Sequence, residues 1–183
     1  MRYYFGFLIS IGLIILIIFL LFHGGKSGVP TTSQPLISYA NSGSQVSFTI
    51  DGPINANQDH QQVKIYVNKD LVTYDQIQGY DGNVVNQQQF INSPNAYSAF
   101  LNALQLAGFT LGNNSSSLSS EQGHCALGDR YIFELTQGGA DLERFWATSC
   151  LKVKSYNGDL PLTMQLFEAQ VPGYQKLIRN IKL

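Results

Sequence analysis

The N-terminal part of the chain is a continuous apolar run. Residues 3–22 are mostly Ile, Leu and Phe, and only Gly6, Ser10 and Gly12 interrupt them. A helix of this length spans about 30 Å, which matches the hydrocarbon core of a bilayer. We expect an uncleaved transmembrane helix over 3–22, because the run exceeds the roughly 7–15 apolar residues of a signal peptide and no small-residue cleavage motif follows it.

The residues around this run predict how the chain is placed about the membrane. Arg2 precedes it and Lys26 alone closely follows it, a small positive-inside bias that predicts a cytoplasmic end at 1–2. Residues 23–44 are rich in Gly, Ser, Thr and Pro, which is typical of a flexible tether. We therefore expect a single-pass protein of the cell membrane whose C-terminal domain, 45–183, lies outside.

Beyond the tether, alternating apolar and polar positions predict β-strands. Val46, Phe48 and Ile50 alternate with small polar residues, which is the period of a strand with one buried face. Asp81-Gly82 is typical of a hairpin turn. The predicted strands are 45–50, 63–67, 71–77, one beginning near 84, 131–135, and 142–150 after a turn at Gly138-Gly139.

Two helical regions are predicted among these strands. Ser93 is suited to an N-cap, Pro94 to the first helical position and Gly108 to the residue after the end. Apolar residues of this helix share one face, namely Tyr97, Phe100, Leu101 and Leu104. A second helical region begins at Asp159 and is interrupted near Gly173. The whole pattern predicts an α+β fold, a mainly antiparallel sheet with helices packed on one face.

The amino-acid composition excludes some classes of function. Only 13% of residues are charged, about half the usual fraction, and the net charge is −1. A nucleic-acid partner is therefore not expected, and amides and hydroxyls must hydrate much of the surface. Residues 113–122 include five serines and two asparagines, and we expect a mobile surface loop there.

The two cysteines, Cys125 and Cys150, lie near the outer ends of the second predicted hairpin. A disulfide between them would persist outside the cytoplasm and contribute roughly 3–4 kcal/mol on the chain-entropy model. Free structural thiols, or a catalytic or metal-binding pair aided by His124, are the alternatives. Their spacing matches no usual zinc motif.

The chain shows little that is typical of an enzyme. It contains no phosphate-binding glycine loop, no His-Glu-x-x-His and no Gly-x-Ser-x-Gly. We expect Asp59 and His60 to lie in a solvated loop, and Asp51 and Glu134 to be ordinary surface acids. The sequence predicts no catalytic residues, no metal site and no cofactor.

The second predicted hairpin contains a candidate binding surface. With Gly138-Gly139 as its turn, Tyr131 would face Trp146, with Arg144 close by. If this face is open, these residues have the composition of a binding hot spot. If helices cover it, the two aromatic residues are core and Arg144 lies at the rim. The same register would place Glu134 opposite another glutamate, which indicates that the true register is shifted.

The hairpin also carries a resemblance. Between Gly123 and Cys150 the pattern Cys-x-Leu-Gly-x-Arg-Tyr-x-Phe-x-Leu, then Trp-x-Thr-Ser-Cys, resembles uncharacterised single-pass bacterial membrane-anchored proteins with a Cys…Cys hairpin. The likeness extends over most of 60–183 and implies no chemistry. The order of strands, helix, hairpin and closing helix is similar in architecture to emfourin-like metalloprotease inhibitors.

These observations lead to one expected function. We expect a non-enzymatic surface binding or envelope-interaction module, with protease inhibition as one version of it. Its partners would be the lipid bilayer, through 3–22, and a protein or other cell-surface ligand. The alternatives are a membrane-anchored enzyme and an accessory subunit of a membrane complex.

Overall fold

The computed structural model describes residues 34–150, 153–179, 181 and 183. The predicted cytoplasmic end at 1–2 and the predicted transmembrane helix at 3–22 lie outside the described residues. Within the described part of the chain, no helix has both the length and the apolar character needed to cross a membrane. Residues from Gln34 to Leu183 form one compact unit.

Six strands form one sheet in which every neighbouring pair is antiparallel. The spatial order is β4-β3-β2-β1-β5-β6, so β4 and β6 are the two edges. This arrangement confirms the predicted antiparallel sheet. The strands are β1 Ser44–Asp51, β2 Gln61–Val67, β3 Leu71–Gln78, β4 Asn83–Ile91, β5 Arg130–Gln137 and β6 Ala140–Thr148.

The described residues also form helices α1 Pro94–Leu106, α2 Leu160–Glu168 and α3 Tyr174–Ile178, with short 3-10 turns at Leu36–Tyr39 and Ser116–Leu118. The predicted caps are confirmed. Ser93 accepts a hydrogen bond from the third amide of α1, and Asp159 does the same for α2. Gly108 follows α1 with φ of 78°, a left-handed conformation that glycine adopts without strain.

The hydrophobic core lies on one face of the sheet, between the strands and the helices. Aromatic rings fill its centre: Phe133 stacks on Phe48 with ring centroids 5.1 Å apart, and Phe167 of α2 meets Phe100 of α1 edge to face at 5.2 Å. The predicted apolar residues of α1 are all buried in this core. The fold is therefore a two-layer α+β arrangement with helices on one face of the sheet.

The ordered domain begins earlier than the sequence predicts. Leu36 is fully buried, and its backbone N–H donates to Gln105 Oε1 on α1 at 2.8 Å. The tether predicted over 23–44 therefore does not extend through its last part, since residues from Gln34 onward belong to the domain. Leu36 and Ala40, both buried in the core, supply the apolar burial that holds this segment in the domain.

The predicted pairing of the second hairpin is wrong by one residue. Near the turn the strands pair as expected, but a bulge between Leu135 and Thr136 shifts the rest of the register. Glu134 consequently lies opposite Arg144, and its Oε1 is 3.4 Å from the guanidinium Nε. The bulge thus replaces a repulsive pair of glutamates by an attractive pair.

Candidate functional site

The second face of the sheet is polar, and we call it the polar face. The buried side chains of α1 and α2 pack against the opposite face, in the core. Alternate residues of four adjacent strands point to the polar face. They include Ser47, Thr49 and Asp51 of β1, Gln62 and Lys64 of β2, Arg130, Ile132 and Glu134 of β5, and Arg144 and Trp146 of β6.

Glu134 is the centre of an ion-pair network on the polar face. Its Oε2 receives hydrogen bonds from Lys64 Nζ and Ser47 Oγ, both at 3.0 Å, and Arg144 approaches its other oxygen. Burial acts to raise the pKa of Glu134. The positive charges and the hydrogen bonds of these neighbours nevertheless hold the pKa below its usual value. The carboxylate therefore remains ionised and links β5 to β1, β2 and β6.

A loop of residues 113–124, which we call the strap, crosses the outer part of the polar face. Trp146 Nε1 donates to the Leu118 carbonyl at 2.8 Å, and the ring of His124 stacks on the indole with centroids 5.0 Å apart. Arg144 binds Glu121 Oε2 at 2.7 Å. The loop predicted over 113–122 lies at the surface as expected, and part-buried hydrogen bonds from Trp146 and Arg144 tie it to the sheet. Because a buried indole N–H needs a hydrogen-bond acceptor, Trp146 was the sequence feature that could have predicted a loop packed against β6.

His60 and Asp51 form a second buried cluster, at the end of β1. His60 is fully buried under the ring of Tyr80, whose centroid lies 4.0 Å away, and its Nε2 is 3.0 Å from Asp51 Oδ1. Arg130 Nη2 binds the other oxygen of Asp51 at 2.8 Å. The prediction of a solvated His60 is wrong, because its partner is Asp51 across the β1–β2 connection. The adjacent Asp59 is exposed.

A cleft of about 460 Å³ lies on the polar face between the strap and the Asp51–His60 cluster. Its floor is sheet and its walls are loops. The residues that line it are Thr49, Asp51, Ile54, Gln62, Tyr80, Glu121, Gln122, Gly123, Arg130 and Ile132. Hydrogen-bonding side chains and apolar surface thus lie side by side, which is the usual character of a ligand site.

The charges around the cleft are balanced by pairs already formed. Asp51 is paired with Arg130, and Glu121 with Arg144. The guanidinium Nε of Arg130 is buried and makes no hydrogen bond to the described residues. The cleft therefore offers amide, hydroxyl and carboxylate groups without an excess of either charge.

The geometry of His60 suits a structural role better than proton transfer to a ligand. Its Nδ1 donates to the Pro53 carbonyl at 3.1 Å, and its Nε2 contacts both Asp51 and the Gln62 amide. Both ring nitrogens are thus engaged while the residue is fully buried. Among the described residues, no three side chains of His, Cys, Asp or Glu are arranged to hold a metal ion.

Cys125 and Cys150 form the predicted disulfide, with Cα atoms 5.7 Å apart. Both cysteines lie just outside the hairpin strands, Cys125 in a turn with φ of 54° and Cys150 after the end of β6. Cys125 directly follows the strap. The bridge therefore fastens the end of the strap, and with it one wall of the cleft, to the end of β6.

The three residues of the candidate binding surface do not share one face. Tyr131 lies opposite Ala147 and points to the helix-covered face, beside Leu160 of α2. Trp146 is fully buried on the polar face beneath the strap, and Arg144 is partly exposed beside it. Sequence reasoning missed the residues that line the cleft, because most of them are separated by tens of positions and meet only in the sheet.

The fold and the cleft together define an α+β domain with a partly enclosed cleft of mixed polar and apolar lining. Compared with known proteins, the chain matches no protein-family model and no curated protein sequence. The resemblances drawn from the hairpin motif and from the order of elements therefore stay predictions.

Proposed function

We propose that this chain is a membrane-anchored binding protein whose extracytoplasmic domain binds a neutral, hydrogen-bonding ligand in the cleft. The observation that carries the proposal is the combination, within one cavity, of unpaired hydrogen-bonding side chains with charges already paired to each other. Such a site favours contact through hydroxyl and amide groups over attraction of a charged partner.

The charge pairs determine which ligands fit. A charged ligand would have to compete with the ion pair that Arg130 and Asp51 already form, at a cost in electrostatic energy. A neutral ligand meets no such cost. It can hydrogen-bond to Thr49 and Gln122, and it can pack against Tyr80.

The buried position of His60 supports binding without chemical turnover. A general base must reach the proton that it removes, within hydrogen-bonding distance or through one water molecule. His60 instead holds the Asp51–Gly52–Pro53 turn against the start of β2. We therefore infer that the Asp51–His60 pair positions the wall of the cleft.

Two features support the proposed location. The disulfide is of a kind that persists in oxidising compartments outside the cytoplasm. The apolar residues 3–22 have the length of a membrane span, and Arg2 favours a cytoplasmic N-terminus. The ordered domain begins at Gln34, so about a dozen residues would separate it from the bilayer.

Photo-crosslinking on intact cells tests this proposal. A photoreactive amino acid replaces Gln122, an exposed residue of the cleft wall, and the matched control replaces Asn102, an exposed residue of α1. We expect a specific crosslinked product at position 122 and none at 102. Equal products at the two positions, or none at either, would contradict binding in the cleft.

The ionic strength during crosslinking tests the chemistry of the ligand. Because a neutral ligand makes no long-range charge contacts, raising the salt from 50 to 500 mM should change the yield less than twofold. A large loss of yield would indicate a charged ligand. Recovery of a chemically altered compound from the captured fraction would indicate an enzyme instead.

A further inference from the structure

The two edges of the sheet are protected very differently. At the β6 edge, the backbone N–H groups of Ser155 and Tyr156 both donate to the Trp146 carbonyl at 2.9 Å. The start of β6 also carries two acidic residues, Asp141, which is exposed, and Glu143, which is half-buried. A covering segment and charged side chains are the usual means by which proteins prevent an edge strand from pairing with another chain.

The β4 edge has neither form of protection, and its bulge, at Val85 near the start of the strand, leaves the pairing of 86–91 with β3 regular. Its nine residues, Asn83 to Ile91, include no ionisable side chain and no proline. Within the described part of the chain, β3 is its only neighbouring strand, and no other backbone hydrogen bond reaches it. The exposed fractions of Val84, Val85 and Ile91 are 45%, 47% and 93%. This edge therefore presents unpaired backbone groups and apolar side chains together.

We propose that β4 pairs with β4 of a second copy of this chain, antiparallel and about a two-fold axis. A strand without charge can lie beside its own copy without repulsion, whereas like charges in direct opposition destabilise a pair. The central Gln87, Gln88 and Gln89 carry both donors and acceptors, so the one at the axis can bond its own counterpart and the others can bond each other across it. A charged partner strand would find no complementary charge here.

The protected β6 edge limits the assembly to two copies. Pairing through β4 joins two six-stranded sheets into one sheet of twelve strands whose remaining edges are both β6. Because β6 is covered and charged, further strands cannot add to it in the same way. The proposal does not rest on the cleft, which is lined by strands and loops away from the outer side of β4.

Cysteine scanning of the full chain in detergent micelles tests this inference. Both natural cysteines are in the disulfide, so one introduced cysteine is the only free thiol. Positions 85 to 89 are replaced one at a time, with Asn102→Cys on α1 as the control, and the chains are oxidised and run on a non-reducing gel. We expect a sharp maximum of dimer at one position of β4, because only residues near a two-fold axis meet their counterparts.

A charge variant gives a second, independent measurement. Gln88→Lys with Gln89→Lys places like charges near the proposed axis, and Asn102→Lys is the matched control. We expect the dissociation constant from sedimentation equilibrium to rise at least tenfold for the double variant and to stay unchanged for the control. Thermal unfolding at a concentration where the parent chain is monomeric should be the same for all three chains, because the replaced side chains are exposed.

Several outcomes would overturn the proposal. These are a flat crosslinking profile, a monomer at every concentration, dimers that survive the lysine pair, and a ladder of larger oligomers. Crosslinking to a different protein in native membranes, without dimer, would assign the edge to another partner and reject the second copy.

Discussion

Replacement of Trp146 should separate the role of the strap from that of the core. The chain contains one tryptophan, and its indole is fully buried, with its N–H bonded to the Leu118 carbonyl. Trp146→Ala removes the whole ring and leaves a cavity between the strap and the sheet. Trp146→Phe keeps one ring of the apolar contact and removes the N–H donor together with part of the ring volume.

The expected costs follow from these two changes. Truncating a buried tryptophan to alanine costs about 3–5 kcal/mol, and losing one hydrogen bond costs about 1 kcal/mol. We therefore expect Trp146→Ala to lower the free energy of unfolding by about 4 kcal/mol, and Trp146→Phe to lower it by about 1–2 kcal/mol. Leu106→Ala is the control, because Leu106 is 88% exposed and its truncation should change stability by less than about 0.5 kcal/mol.

Urea unfolding of the compact unit from Gln34 to Leu183, followed by far-ultraviolet circular dichroism, measures these differences. Hydrogen exchange then shows which segments of the chain lose stability in each variant. In Trp146→Phe, protection should fall in the strap while the amides of β1 keep the parent rates. A cost below about 1 kcal/mol for Trp146→Ala, or unchanged exchange in the strap of Trp146→Phe, would refute the idea that the indole anchors this loop.

Three further predictions concern stability. Replacing Cys125 and Cys150 together by serine should lower the free energy of unfolding in urea by about 3–4 kcal/mol, because the bridge joins residues 25 positions apart; an unchanged urea midpoint would contradict this. The lowered pKa of Glu134 contributes stability that is present above its unfolded value of about 4.5 and is lost as the pH falls through its folded value. Glu134→Gln should therefore be less stable at pH 7 and lose less on acidification, and a melting temperature that falls as steeply between pH 5 and 3 as in the parent would disprove this. Gly112→Ala should lower the melting temperature, because the added methyl group would collide with a phenylalanine ring of β6, whereas Gly43→Ala meets no atom within 4 Å and should have no such effect.

The strap links the stability predictions to the proposed function. It is held at Trp146 and at the disulfide, and it supplies Glu121, Gln122 and Gly123 to the cleft. Trp146→Phe should therefore weaken ligand capture at position 122 while most of the fold is retained. Capture by this variant at the parent yield would show that the cleft does not depend on the strap.

Local patterns predicted the secondary structure well, since their causes act within a few residues. The ends of α1 follow from Ser93 and Gly108, whose hydrogen bonding and backbone conformation are local properties. The strands follow from alternation, because side chains on a strand must point to opposite faces. The disulfide was predictable for a related reason: a hairpin brings its two ends together whatever its register.

The tertiary structure alone decided the candidate site. The partner of His60 is Asp51 and not its neighbour Asp59, because the β1–β2 connection turns the imidazole inward beneath Tyr80. The register of β5 and β6 depends on one bulge that brings Arg144 to Glu134. By itself the sequence determined which segments become strands and helices. The cleft, the strap and the contrast between the two sheet edges arose only from contacts between distant residues, whose energies depend on the whole assembled sheet.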